Sequence, residues 1–364
     1  MRLAKWQSKN SISLAVFQAI LAAVLFGIHA PFAKLLLRDI QPLYMASFLY
    51  LGAAIGMTLI YLWTNRQKAP VKESRLAKGD RIWVILMILL DILAPWLLML
   101  GLSQTAAAIA SLLINFEMVA TALIALWLFK ETIGRQVWFS LIIITLASIV
   151  LSLDFADLSA IAFSKGSLFI LAACLCWGLE NNCTRNLSAK NPVQIVMIKG
   201  FGSGLGALLL ALSFRMPLQL RWVPLIAALL LGFISYGLSI YFYVHAQRWL
   251  GAARTSMYYA AAPFVGVLVS YLLLNEPLGL AFAIGAALMV IGTVLAIHEK
   301  HAHRHTHEQQ VHEHRHNHLD GHHQHEHELD PTDFTGDHTH VHEHKSFEHE
   351  HEHRPDTHHR HLHQ

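Results

Sequence analysis

The chain has 364 residues, of which 54% are hydrophobic and only 14% charged, a balance that excludes an ordinary soluble surface. Its formal net charge of +3 conceals two regimes: residues 1–298 hold ten carboxylates against 21 Lys and Arg, whereas the remainder holds 14 carboxylates, six Lys and Arg, and 23 of the 26 histidines. A basic membrane body followed by an acidic, histidine-rich tail is what these counts describe.

Ten apolar runs follow one another in the body, each close to the ~20 residues needed to cross about 30 Å of hydrocarbon. After a short segment 1–12, five runs occupy 13–37, 43–63, 81–101, 104–128 and 136–153. Five more occupy 166–187, 192–213, 222–246, 253–274 and 278–297. Arg2, Lys5 and Lys9 ahead of the first run imitate a signal peptide. That run is too long for one and nine others follow, so it is read as retained. The expected class is an all-α integral membrane protein of ten transmembrane helices.

Orientation follows from the short connections, because Lys and Arg stay on the cytoplasmic side. With the N-terminus inside, inner segments hold 15 of them, including six between Arg66 and Arg81, and outer segments hold five: Lys34, Arg38, Lys165, Arg215 and Arg221. An even helix count returns the tail to the same side, which places both termini in the cytoplasm of a cell whose inner membrane holds the body.

The two sets of five runs resemble each other. Phe26-Gly27-Ile28-His29 through Lys34 matches Trp177-Gly178-Leu179-Glu180 through Arg185, and Pro42 with Gly52 matches Pro192 with Gly202. Ala107-Ala108-Ile109-Ala110-Ser111 sits against Ala252-Ala253-Arg254-Thr255-Ser256, and Glu131 with Gly134 against Glu276 with Gly279. An odd number of helices per copy sends the second copy into the bilayer from the opposite side, giving an inverted pair suited to alternating access.

Leu49-Tyr50-Leu51-Gly52-Ala53, Leu93-Ala94-Pro95-Trp96, Ala110 through Glu117, and Leu128-Phe129-Lys130-Glu131 recur in order with Cys176-Trp177-Gly178, Asn181 through Arg185, Ile198-Lys199-Gly200, Tyr236-Gly237-Leu238-Ser239, Leu250 through Arg254, and Ala262-Pro263-Phe264 leading to Glu276. In this order and spacing, across residues 14 to 298, the chain resembles the EamA-type transporters of the drug/metabolite transporter superfamily. The resemblance implies two EamA-like five-helix repeats, 13–153 and 166–298, around a central cavity. That family moves amino acids, metabolites and drugs, so it does not choose a substrate.

Ionisable groups at mid-bilayer are costly and therefore informative. They are His29, Asp91, Glu117, Glu180, Lys199 and His245. Glu180, followed by Asn181 and Asn182, places three polar residues together on one helix and is the strongest cavity candidate. Glu117 is either a cavity residue or a structural tie to Lys199 or Arg254. Asp91 either serves the cavity or manages the helix around Pro95, and His29 either faces the cavity or bonds a carbonyl freed near Pro31. Glu131 and Glu276 read as residues that organise turns and end helices. Gly200, Gly202, Gly204 and Gly206 read as a packing surface. Cys174, Cys176 and Cys183 share one helix and point apart, which argues against a disulfide or a thiolate metal cage.

The tail 299–364 has too few apolar residues for a core and is expected to be disordered. Its candidate ligands are His301, His303, His305, His307, His312, His314, His316, His318, His322, His323, His325 and His327, whose imidazoles suit zinc, nickel or cobalt. These histidines are spread in mixed blocks with Glu, Asp and Thr, unlike an expression tag. No nucleophile motif, metallopeptidase helix or Walker-type glycine loop is present, which argues against an enzyme or an ATP-driven pump. The partners implied are lipid, a small solute and divalent transition metals, without nucleic acid, and no cofactor is required. Two readings remain: a secondary transporter, an exporter of small organic metabolites or amino acids, with a metal-binding tail; or an exporter of nickel, cobalt or zinc.

Overall fold

The computed structural model describes residues 2–65, 78–129, 134–154, 162–184, 192–218, 221–276, 278–297, 302–307, 310–316, 338–344 and 347–352. The first half contributes α1 (Arg2–Gly27), α2 (His29–Leu36), α3 (Pro42–Asn65), α4 (Arg81–Gln104), α5 (Ala107–Leu113), α6 (Phe116–Phe129) and α7 (Arg135–Ser152). The second contributes α8 (Lys165–Thr184), α9 (Pro192–Ser213), α10 (Trp222–Gly232), α11 (Ser239–Tyr259), α12 (Ala262–Leu274) and α13 (Leu280–Ile297). Two short strands, β1 (Leu153–Asp154) and β2 (Ala162–Phe163), pair between the halves.

Among the described residues, seven helical segments are long and apolar enough to cross a membrane, and the apolar α12 and the stretch Leu280–Ala296 are shorter. The protein is a multi-pass membrane protein. Trp63, Trp127 and Trp222 stand 68%, 85% and 71% exposed at helix ends, where indole rings favour the lipid–water interface. Between these levels many Leu and Ile side chains point outward, as a hydrocarbon solvent requires.

Three of the runs read as continuous are interrupted. The run 13–37 divides at Ile28 between α1 and α2, and the run 104–128 divides at Ile114 and Asn115 between α5 and α6. The ninth run begins later than its hydropathy suggests: α11 continues to Tyr259, and α12 starts at Ala262 with Pro263 in its first turn. Proline has no N–H to give and a fixed φ, so it suits a helix start. Where α5 stops, the Cys174 thiol lies 3.5 Å from the Leu113 carbonyl oxygen and 3.7 Å from that of Ile114, covering acceptors that the break would expose. Between α10 and α11 the backbone widens into a π-helical turn, Phe233–Leu238.

The largest helix contacts join the halves: α4 packs along α8, α3 along α9, α1 along α11 and α7 along α13. Glycine permits these approaches. A Cβ at Gly52 would strike the Leu229 carbonyl, and one at Gly232 would strike that of Leu49, so α3 and α10 cross almost backbone to backbone. The expected glycine surface on α9 is two surfaces: Gly200 and Gly204 face α3, whereas Gly202 and Gly206 face Ile88 and Ile92 of α4.

In the tail the backbone is described for four strands, β3 (Ala302–His307) with β6 (Phe347–Glu352), and β4 (Gln310–His316) with β5 (His338–His344). The rest of the tail and all its side chains lie outside the described residues. So does the expectation of zinc, nickel or cobalt on its histidines. Glu131 and the side chain of Arg254 lie outside them as well.

Candidate functional site

Lys199 is the centre of the buried polar network. From α9 its ammonium nitrogen reaches Asp91 Oδ2 on α4 at 3.0 Å and Glu180 Oε1 on α8 at 3.1 Å. Both carboxylate residues are 1% exposed. The geometry follows from the packing below it. Gly101 and Gly166 bring α4 and α8 together, and Gly200, next to Lys199, lets α9 lie against the backbone of Tyr50 on α3. The other Asp91 oxygen, Oδ1, accepts a hydrogen bond from the Tyr50 hydroxyl at 2.9 Å. The Thr184 hydroxyl, one turn beyond Glu180, donates to Glu180 Oε1. Asp91 therefore serves the network between helices.

Glu117 sits in the first turn of α6, immediately after the break, where a helix N-terminus favours negative charge. Its Oε1 accepts from Asn181 Nδ2 at 2.6 Å, and the same amide reaches Thr121 Oγ1 at 3.2 Å. Asn182 donates to the carbonyls of Thr121 and Gly178 at 3.1 and 2.8 Å. The three adjacent polar residues of α8 thus divide their work. Glu180 goes to Lys199, while Asn181 and Asn182 lace α8 to α6. Lys199 ion-pairs with Asp91 and Glu180, and Asn181 is the hydrogen-bond partner of Glu117.

His29 opens α2 and is 1% exposed. Its Nε2 lies 3.2 Å from the Tyr236 hydroxyl, so its contact is a side chain of the π-helical turn. The Tyr236 ring lies 5.4 Å from that of Tyr50. One line of contacts consequently runs from His29 through Tyr236, Tyr50 and Asp91 to Lys199 and Glu180. Two tyrosines and two threonines, Tyr50, Tyr236, Thr121 and Thr184, complete a site that the charged residues alone did not define. The π-turn holding Tyr236 is itself a common marker of functional positions. His245 lies against Tyr241, with ring centroids 4.4 Å apart.

The three interruptions come together beside this network. Gly27, His29, Ser111, Ile114, Ala262 and Pro263 are among the residues lining one void of about 20 Å³. A Cβ at Gly27 would strike the Ala262 carbonyl, and one at Gly266 would strike Ser111. At the α5–α6 break the buried Asn115 amide nitrogen has no partner among the described residues. A wider hollow of about 280 Å³ lies at the end of the bundle where α2 ends and α3 begins, bordered by Arg38, Asp39, Tyr44 and Arg221.

Chemically the centre carries charge of both signs in a low-dielectric setting. One ammonium balances one of the two carboxylates around it, and Glu117 adds a third carboxylate nearby. Such groups are retained in membrane interiors where they meet an ion or a polar solute. Discontinuous helices that converge on one point supply the same service with backbone dipoles.

Comparison with known proteins identifies the family. The model of the EamA-like transporter family matches twice, over residues 13–153 and 164–297. An uncharacterized transporter of Methanothermobacter thermautotrophicus is 25% identical over 291 residues, covering 76% of this chain and 84% of that protein. The uncharacterized transporter YyaM of Bacillus subtilis is 21% identical over 272 residues, covering 72% of this chain and 87% of its own. A solved crystal structure shares the fold at a TM-score of 0.56 and 17% identity, over 78% of this chain and 95% of that one. The chain belongs to the EamA-like transporter family.

Proposed function

We propose that the protein is a secondary transporter that exports a small organic solute, an amino acid or similar metabolite, through the site centred on Lys199. The observation that carries this reading is the placement of Lys199 between Asp91 and Glu180. A zwitterion complements that arrangement, its ammonium replacing the Lys199 charge on a carboxylate and its carboxylate meeting Lys199. A divalent metal ion would have to displace the Lys199 ammonium or sit against it, which like-charge repulsion disfavours. The residual negative charge of the cluster is where a coupling proton enters.

The body is read as ten membrane-crossing helices in two inverted five-helix repeats. The double family match supports this, and so does the packing. Exchanging the halves turns the α4–α8 contact into that of α11 with α1, and leaves α3–α9 and α7–α13 as themselves. The excess of Lys and Arg in one set of connections supports an inner-membrane location with both termini cytoplasmic. The histidine-rich tail, on that side, binds zinc, nickel or cobalt as a buffer or regulator.

Purified protein in liposomes, screened for uptake and efflux of amino acids and divalent metals, tests the reading. The full chain is compared with one ending at His298. An organic solute carried equally by both supports the proposal. Flux of metal alone, lost on truncation, would replace it with metal export.

A further inference from the structure

A pair of opposite charges grips the connection between α4 and α5 from both sides. On one side Lys34, near the end of α2, donates to the carbonyl oxygens of Leu102 at 2.6 Å and Thr105 at 2.8 Å. On the other side Glu276 accepts from the backbone N–H groups of Ala107 at 2.7 Å and Ala108 at 2.9 Å, one to each carboxylate oxygen. The arrangement is matched to helix electrostatics. The cation meets the carbonyl end of α4, which is partially negative, and the anion meets the amide end of α5, which is partially positive. Glu276 does more than end its own helix. Asn275, at φ 50°, turns the chain out of α12 and delivers the carboxylate to a helix from the other half.

The two gripping residues belong to α2 and to the end of α12, and the gripped connection leads into α5. These three pieces are the half-helices whose inner ends meet at the void beside His29. They also pack on one another: α12 on α5, α12 on α2, and α2 on α5. At the same end of the bundle Arg221 pairs with Asp39 across the halves. A block of three short helices, jointed at its inner end and clamped at its outer end, has the construction of a gate.

We infer that Lys34 and Glu276 are the latch of a gate formed by α2, α5 and α12, which this structure holds shut at the outer end, and that transport requires the clamp on the α4–α5 connection to release. This rests on the transporter reading, and the outer assignment on the proposed orientation. Glu276 therefore sets the balance between closed and open without touching the solute.

The test needs no substrate. A cysteine is placed beneath the gate at Ser111 or, in a second chain, at Ile114, and a reference cysteine at the exposed Ser213, at the end of α9 and outside the clamp. Each is exposed in turn to a membrane-impermeant maleimide from either face of the membrane. Site-resolved mass spectrometry measures the rate at each position, so the native cysteines stay in place. With Glu276 intact, S111C and I114C label slowly. Glu276→Ala is expected to raise their labelling from the outer face about tenfold or more, since two charge-assisted hydrogen bonds are lost. Lys34→Ala acts in the same direction, and Glu276→Gln, which keeps acceptor oxygen but not charge, raises the rate less. S213C labels at one rate throughout. If S111C and I114C label at the parent rate in both Glu276→Ala and Lys34→Ala chains that insert normally, the latch is refuted. A rise seen from the cytoplasmic face instead keeps the latch and overturns the orientation. A rise in a protein that carries no solute in liposomes keeps the gate and removes the transport reading.

Discussion

Lys199 has two carboxylates and can neutralise one, so substitutions around it are expected to be unequal. Lys199→Ala leaves Asp91 and Glu180 buried with no cation, a loss on the order of 3–5 kcal/mol seen as a lower melting point in detergent. Asp91→Asn is milder, because Glu180 still holds the lysine and the Tyr50 hydroxyl still finds an oxygen acceptor. Glu180→Gln and Glu117→Gln each insert and fold but abolish flux in liposomes; parent-like flux in both, across a range of pH, would take them out of the mechanism. The charged members of this site were legible in the sequence, because a carboxylate in hydrocarbon is costly enough to need a reason. Its partner choices were not. Spacing along a helix does not say that Lys199 turns to Asp91 and Glu180 while Asn181 turns to Glu117, since that depends on the rotation of four helices about their axes. Tyr50 and Tyr236 were hidden differently. A tyrosine suits an apolar helix by its ring, so its hydroxyl raises no alarm in a hydropathy reading.

At the scale of elements, the helices' existence was readable and their interruptions were not. Residues 107–113 and 116–129 are apolar on both sides of the α5–α6 break, so the run passes for one helix. The break was marked only by Asn115 and Glu117. Likewise residues 253–259, Ala-Arg-Thr-Ser-Met-Tyr-Tyr, were read into the ninth run although they close α11; the residue that marks the start of α12 is Pro263. Glycine spacing announced close packing, and the structure adds which neighbour each glycine serves. Gly52→Val and Gly232→Val therefore drive a side chain into backbone of the facing helix, where nothing can rotate away. Each is expected to destabilise by more than the usual ~1–3 kcal/mol of overpacking, giving aggregated protein on size exclusion. The same change at Gly79, which has open space around it, is expected to leave the elution profile unaltered.

For the molecule as a whole, composition separated body from tail at once, and the tail's behaviour is set by imidazole chemistry. Neutral histidine binds metal and protonated histidine does not, so several zinc or nickel ions are expected to bind above about pH 6.5 and to leave as the pH falls below it. Isothermal titration of the full chain against the chain ending at His298 measures this, and equal binding by both would move the metal sites into the body. The packing of the body carries a further consequence. Each principal helix contact, α4 with α8, α3 with α9, α1 with α11 and α7 with α13, takes one member from each half. Neither half encloses a core by itself, so the two relate as subunits of an obligate heterodimer that happen to be encoded in one reading frame. Severing the peptide link between β1 and β2 should then cost little, provided both fragments are made in the same cell. Co-expressed pieces 1–157 and 158–364 are expected to copurify and restore flux, while either piece alone is degraded before it accumulates.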